Sequence, residues 1–108
     1  MDTQPAQKET RDDDLRLSEY AAKRRREDLL DTCRRAVECL ERFAAQARLE
    51  VERAEADPSR LIALPGEVLS AATWGAANAS SELTSATRIA AEYVTAVATV
   101  EALKGGAR

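Results

Sequence analysis

Along the second half of the chain, apolar residues return every three or four positions: Leu69, Ala72, Ala76, Ala79, Leu83, Ala86, Ala90, Tyr93, Val97 and Val100. That spacing revisits one face of an α-helix at every turn and keeps strict heptad register. It predicts a helix over 65–104. Pro65 suits the first helical position, where its missing N–H costs nothing, and Glu67 places negative charge in the first turn. Gly105 and Gly106 stop the helix. From Leu64 through Lys104 there are only six charged residues. A helix so poor in charge and so rich in small residues needs a partner along its length.

The first half supplies one. Leu30, Cys33, Val37, Leu40, Ala44, Ala47, Val51 and Ala54 repeat at steps of three and four. A flanking column of Leu15, Ala22, Leu29, Ala36 and Phe43 repeats every seven. Together they form a stripe wider than a two-stranded seam, as bundles require. Neither Pro nor Gly interrupts the chain between Gln7 and Asp57. A helix over 11–56 follows. Thr10 with Asp13 resembles a capping box, and Asp12–Asp14 put negative charge near the helix start. The opposite face carries acid-to-base pairs four residues apart, such as Asp31 to Arg35 and Glu38 to Arg42, worth about 0.2–0.5 kcal/mol each.

Asp57-Pro58 ends this helix, because the residue before proline is pushed out of the α region. The expected organisation is a disordered tail over 1–10, a helical hairpin over 11–104 with its loop at 57–64, and a frayed end over 105–108. The fold class is all-α: a long antiparallel two-helix hairpin, with Ala56 near Pro65 and Leu30 near Ala91. Ala72, Gly75, Ala76 and Ala79 allow close approach of the helices, with Leu40, Phe43 and Val51 filling the facing space. One hairpin of this size encloses little core, and such chains gain stability by association. The expectation is therefore a homodimer forming a four-helix bundle, with the second helices inside and the charged first helices outside.

Composition changes this picture little. The aromatic residues are only Trp74, Tyr20, Tyr93 and Phe43, which suits a closely packed Ala/Leu/Val helical core. The net charge of −3 provides no general attraction to nucleic acid or anionic lipid. Residues 1–10 lack the apolar run of a secretory signal. The longest uncharged run, Val68–Ser81, is too short to span a bilayer. Cys33 and Cys39 point to different helix faces and cannot bridge each other within one helix. They read as reduced thiols of a cytoplasmic protein without membrane insertion.

Candidate chemistry is sparse. The chain has no histidine, which removes the commonest general base and transition-metal ligand. No Gly-rich phosphate loop occurs, and neither cysteine has a histidine to activate it. No catalytic, cofactor-binding or metal-binding residue is expected, and the chain reads as a non-enzyme. Two surface features remain. Trp74 falls opposite the apolar seam, between Ser70 and Ser81 and beside Thr73, as a partner-binding position. The basic turn Lys23-Arg24-Arg25-Arg26, extended by Arg34, Arg35 and Arg42, is the candidate for phosphate contact. Against nucleic acid stand the neighbouring acids Glu19, Glu27, Asp28 and Asp31 and the lack of an interleaved aromatic for base stacking. The expected function is a small helical protein–protein interaction module acting as an oligomer: an adaptor, chaperone, assembly factor or inhibitor. The alternative is a small dimeric nucleic-acid accessory protein using Lys23–Arg26.

Overall fold

The computed structural model describes residues 5–105, with side-chain surroundings from Thr10 onward. Two long helices pack against each other: α1, Pro5–Ala56, and α2, Leu64–Gly105, joined through a 3-10 turn at Pro58–Arg60. No strand occurs among the described residues.

Helix α1 starts six residues before position 11. Pro5 occupies the first helical position, where proline is pre-organised, and nothing after it breaks the helix. Thr10 and Asp12–Asp14 therefore lie inside the helix rather than at its cap. Of the expected tail, residues 5–10 are helical and residues 1–4 lie outside the described residues. Gly105 is the last residue of α2, and the rest of the expected frayed end is likewise outside them.

Asp57 makes the corner. Its backbone is extended, and its carboxylate accepts hydrogen bonds from Ser59 N at 3.1 Å and Ser59 Oγ at 2.7 Å. These bonds hold its carboxyl below the usual aspartate range. Backbone bonds from Arg60 N to Asp57 O and from Leu61 N to Pro58 O carry the chain into α2.

The chain packs as two units. One runs from Asp31 to Ser85 and contains the loop; the other combines the residues up to Leu30 with those from Ala86. In the loop unit Thr32, Ala36, Ala54, Ala71 and Ala79 are buried, with Phe43 half-buried over a buried Gly75. A methyl group added at Gly75 would lie 2.8 Å from Phe43 Cβ, so the Phe43 side chain packs directly onto the α2 backbone there. In the other unit Ala86 and Val100 are buried, and Leu15, Ala22, Leu29, Tyr93 and Val97 are half-buried.

This seam departs from the expected one. Ala79, Ala86, Tyr93 and Val100 hold their places, but Leu69, Ala72, Ala76 and Leu83 are exposed. Near the loop, Ala71 and Gly75 take the places expected for Ala72 and Ala76. Both columns of α2 are small there, so periodicity does not choose between them. Phe43 chooses, because only glycine admits a ring at backbone distance. The same shift operates on α1. The flanking column through Ala36 and Phe43 faces α2, while Val37, Leu40, Ala44 and Val51 are exposed. The register also slides. Phe43 sits over Gly75 and Arg35 reaches Glu82, each about one turn from the expected partner.

Ion pairing follows the observed seam. Arg35 crosses to Glu82 at 3.2 Å instead of pairing with Asp31, and Asp31 takes Arg34 at 2.8 Å. Arg35 Nη2 also donates to the hydroxyl of Thr32, the largest fully buried side chain. That bond satisfies the one buried polar side chain of this core, as burial of a hydroxyl requires.

Candidate functional site

The loop unit presents two unlike faces. In an antiparallel pair, turning in the same rotational sense from either seam leads to the same side of the pair. One such turn brings Val37, Leu40, Ala44 and Val51 of α1 alongside Leu69, Ala76 and Leu83 of α2. The opposite turn brings Arg35 to Glu82 and Glu50 to Glu67, and it carries Trp74. One side is apolar and the other is charged.

The apolar side is open to solvent. Val37 is 52%, Leu40 48%, Leu69 66% and Leu83 46% exposed. The neighbouring threonines add little polarity. Thr73 Oγ1 donates to Leu69 O at 2.8 Å, and Thr84 Oγ1 donates to Ser80 O at 2.9 Å. Hydroxyls committed to the preceding turn leave their methyl groups as the outward surface. At the loop, Leu61 and Ile62 are exposed as well.

The charged side holds a groove of about 450 Å³ lined by Phe43, Gln46, Glu50, Arg53, Arg60, Glu67, Ser70, Ala71 and Trp74. Trp74 is 63% exposed at its rim. Of the four residues expected to bind a partner, Trp74 and Ser70 come together here. Ser81 lies two turns further along α2, and Thr73 projects towards the apolar side with its hydroxyl bound to its own helix.

The groove floor contains a pair the sequence reading passed over. The carboxyl groups of Glu50 and Glu67 lie within hydrogen-bonding reach of each other. Glu67 is pushed above the usual glutamate range, first by its bond to Glu50, then by burial and by Glu50's charge. Glu50 is held below that range, first by the bond from Glu67, with Arg53, Gln46 and Arg60 adding to it against the opposing effect of burial. Arg53 Nη1 donates to Glu50 at 3.0 Å and Gln46 Nε2 at 2.9 Å, and Arg60 stands 3.9 Å away. Glu67 Oε2 is covered and has no hydrogen-bond partner in the protein. Two adjacent carboxylates cannot both ionise freely, so between the lowered range of Glu50 and the raised range of Glu67 the pair holds one proton. A signal existed in the sequence. The column Leu15-Ala22-Leu29-Ala36-Phe43 continues seven residues on to Glu50, a charge in a seam position.

The basic turn lies in the other unit. Arg25 crosses to Glu92 at 3.3 Å, and Arg24 stands near Glu27 and Asp28 at 3.8 and 3.9 Å. Among the described residues no ion pair holds Lys23 or Arg26, both exposed. Such a turn spends half its cations within the chain. Lys23→Glu and Arg26→Glu are expected to leave thermal stability within about 0.5 kcal/mol of the parent, as for surface changes without a buried partner. Arg25→Glu sets like charges together at Glu92 and is expected to lower the midpoint more than either, in parallel melts followed by circular dichroism.

Cys33 and Cys39 are free thiols. Among the described residues, no group of three or more acids or cysteines gathers as a metal site, and no helix is long and apolar enough to cross a membrane. No protein-family model matches the chain, and neither curated proteins nor solved structures give a significant match.

Proposed function

We propose that the protein is a small non-catalytic helical interaction module of the adaptor, chaperone, assembly-factor or inhibitor kind, working in the reducing cytoplasm as an oligomer. The observation that carries this reading is the apolar side of the loop unit. The hairpin buries mainly alanine, glycine and threonine there, and leaves Val37, Leu40, Leu69 and Leu83 in water. Full burial of a side chain of this size is worth about 1.5–3 kcal/mol, of which these forfeit roughly half, and a contiguous patch of them marks a contact surface. Trp74 on the other side is a second contact candidate, since exposed tryptophans at the rim of a groove make strong anchors.

Sedimentation tests the oligomer. The parent is expected to run as a dimer or larger assembly at about 100 µM, and Leu40→Glu to dissociate it while keeping its helicity, because Leu40 does not support the hairpin seam. A parent chain that is monomeric at that concentration sinks the oligomeric reading. Trp74 is tested separately, by stoichiometric pull-down from the native cell with parent and Trp74→Ala baits. Equal recovery of the same protein by both baits removes Trp74 from the interaction. The nucleic-acid alternative draws no comparable support from a turn half neutralised by its own chain.

A further inference from the structure

The exposed stripe of α1 in the loop unit runs through Val37, Leu40, Ala44 and Val51, with half-buried Ala47 between the last two, at heptad steps of three and four. The column on its inner side, Ala36, Phe43 and Glu50, faces α2. The column on its outer side reads Arg34, Glu41, Arg48 and Glu55, seven residues apart and alternating in sign. All four are exposed. Among the described residues no ion pair holds Glu41, Arg48 or Glu55, and Arg34 makes only the local contact to Asp31.

Alternating charge beside a heptad seam specifies both partner and direction. In coiled coils the columns flanking the seam set orientation. When two copies of a helix run antiparallel, the outer column of one meets the outer column of the other in reverse order. Reversed about the point between Ala44 and Ala45, the series pairs Arg34 with Glu55 and Glu41 with Arg48, and every cation meets an anion. In a parallel pair the outer column would face Ala36, Phe43 and Glu50, which are already packed on α2, and no such matching arises.

We infer that the apolar side of the loop unit binds the same side of a second copy, with α1 antiparallel to α1 about a twofold axis between Ala44 and Ala45 and with the Arg34–Glu55 and Glu41–Arg48 pairs closing its outer edge. The inference rests on the oligomeric reading above and gives it a partner, a face and a direction. Ala44 and Ala47 at the centre allow close approach, and Val37 meets the partner's Val51. The Arg35–Glu82 and Glu50–Glu67 pairs set the register of the two helices, so the axis crosses α2 between Ala72 and Thr73 and Leu69 falls against the partner's Ala76. Leu83 then falls against the partner's loop at Ile62, which is 95% exposed in the single chain. Both helices of each copy share this interface, in place of a bundle with the first helices outside.

The test is a charge swap in the full chain, read as dimer dissociation constants by sedimentation equilibrium. Each single reversal, Glu41→Arg or Arg48→Glu, turns two symmetry-related attractions into repulsions and is expected to weaken the dimer about tenfold. The double swap Glu41→Arg/Arg48→Glu restores both pairs and is expected to return to within about twofold of the parent. All three change exposed residues, and circular dichroism should show unchanged helicity. A net-charge effect is separable, because Glu41→Arg brings the chain nearer neutrality and would then tighten the dimer. A dimer indifferent to single reversals, or a double swap weaker than either single, overturns the antiparallel arrangement and leaves the oligomeric reading standing. A chain that stays monomeric at about 100 µM overturns both.

Discussion

Replacing Gly75 with alanine is expected to lower the stability of the hairpin by about 1–2 kcal/mol, although alanine is the better helix former. Two effects oppose each other. In a helix interior, Gly→Ala gains about 1 kcal/mol from propensity. Overpacking costs about 1–3 kcal/mol when the neighbours cannot yield. Here they cannot. The added methyl would sit 2.8 Å from Phe43 Cβ and 2.9 Å from Cγ. A Cβ atom is fixed to its backbone, so no change of rotamer relieves the clash and the helices must part. Separation also loosens Ala71 and Ala79 on either side of it. Gly66 is the internal control. Nothing lies within 4 Å of a methyl group added there, so Gly66→Ala should be neutral or stabilising. The attribution to Phe43 is tested by a double-mutant cycle. In a Phe43→Gly background, where both the ring and its Cβ are gone, Gly75→Ala should lose most of its penalty. Chemical denaturation at fixed protein concentration measures all four corners. A Gly75→Ala variant as stable as the parent would show that the contact is looser than the structure has it.

That contact also explains what could be read from the sequence and what could not. Two helices, their antiparallel return and the corner at Asp57-Pro58 follow from periodicity and one proline, because nothing else between Pro5 and Gly105 ends a helix. The choice of faces does not follow. On α1 the columns through Val37 and through Ala36 are both apolar, and on α2 the columns through Ala71 and Ala72 are both small. A heptad count favours the larger side chains for the seam. Close packing favours the smaller ones, since only they let the backbones approach at Phe43 and Gly75. The consequence reaches the surface. Leu40, Leu69 and Leu83, read as core, become exposed, and the expectation of association gains a physical face. Trp74 was legible as an outward residue. Its groove was not, because Arg60 comes from the loop and Glu50 from a column that is apolar up to Phe43.

The groove makes stability depend on pH through Glu50 and Glu67, and two conservative substitutions are expected to act in opposite directions. Glu67 has a raised value in the folded chain, so folding favours its protonated form. Its contribution is complete below the ordinary glutamate range and is lost as pH rises through the raised value. Glu50 has a lowered value, so its contribution is present above the ordinary range and is lost as pH falls through the lowered one. Between the two the pair holds one shared proton and is at its most stabilising. Above the raised range of Glu67 that proton is gone, and the two carboxylates repel each other with only Arg53 and Arg60 to offset them. Glu67→Gln replaces the shared proton with a permanent amide donor and removes one charge. It is expected to raise the neutral-pH melting temperature above the parent's and to flatten the parent's decline from mildly acidic to neutral pH. Glu50→Gln discards the anion that accepts from Arg53 and Gln46, and should lower the neutral-pH melting temperature. The groove is on the opposite side of the loop unit from the apolar face, so neither change should alter association through the proposed interface, and melts at one protein concentration are comparable. Thermal melts from about pH 4 to pH 8 decide the matter. A Glu67→Gln profile that runs parallel to the parent's, with no gain at neutral pH, would mean that the two carboxyl groups do not share a proton.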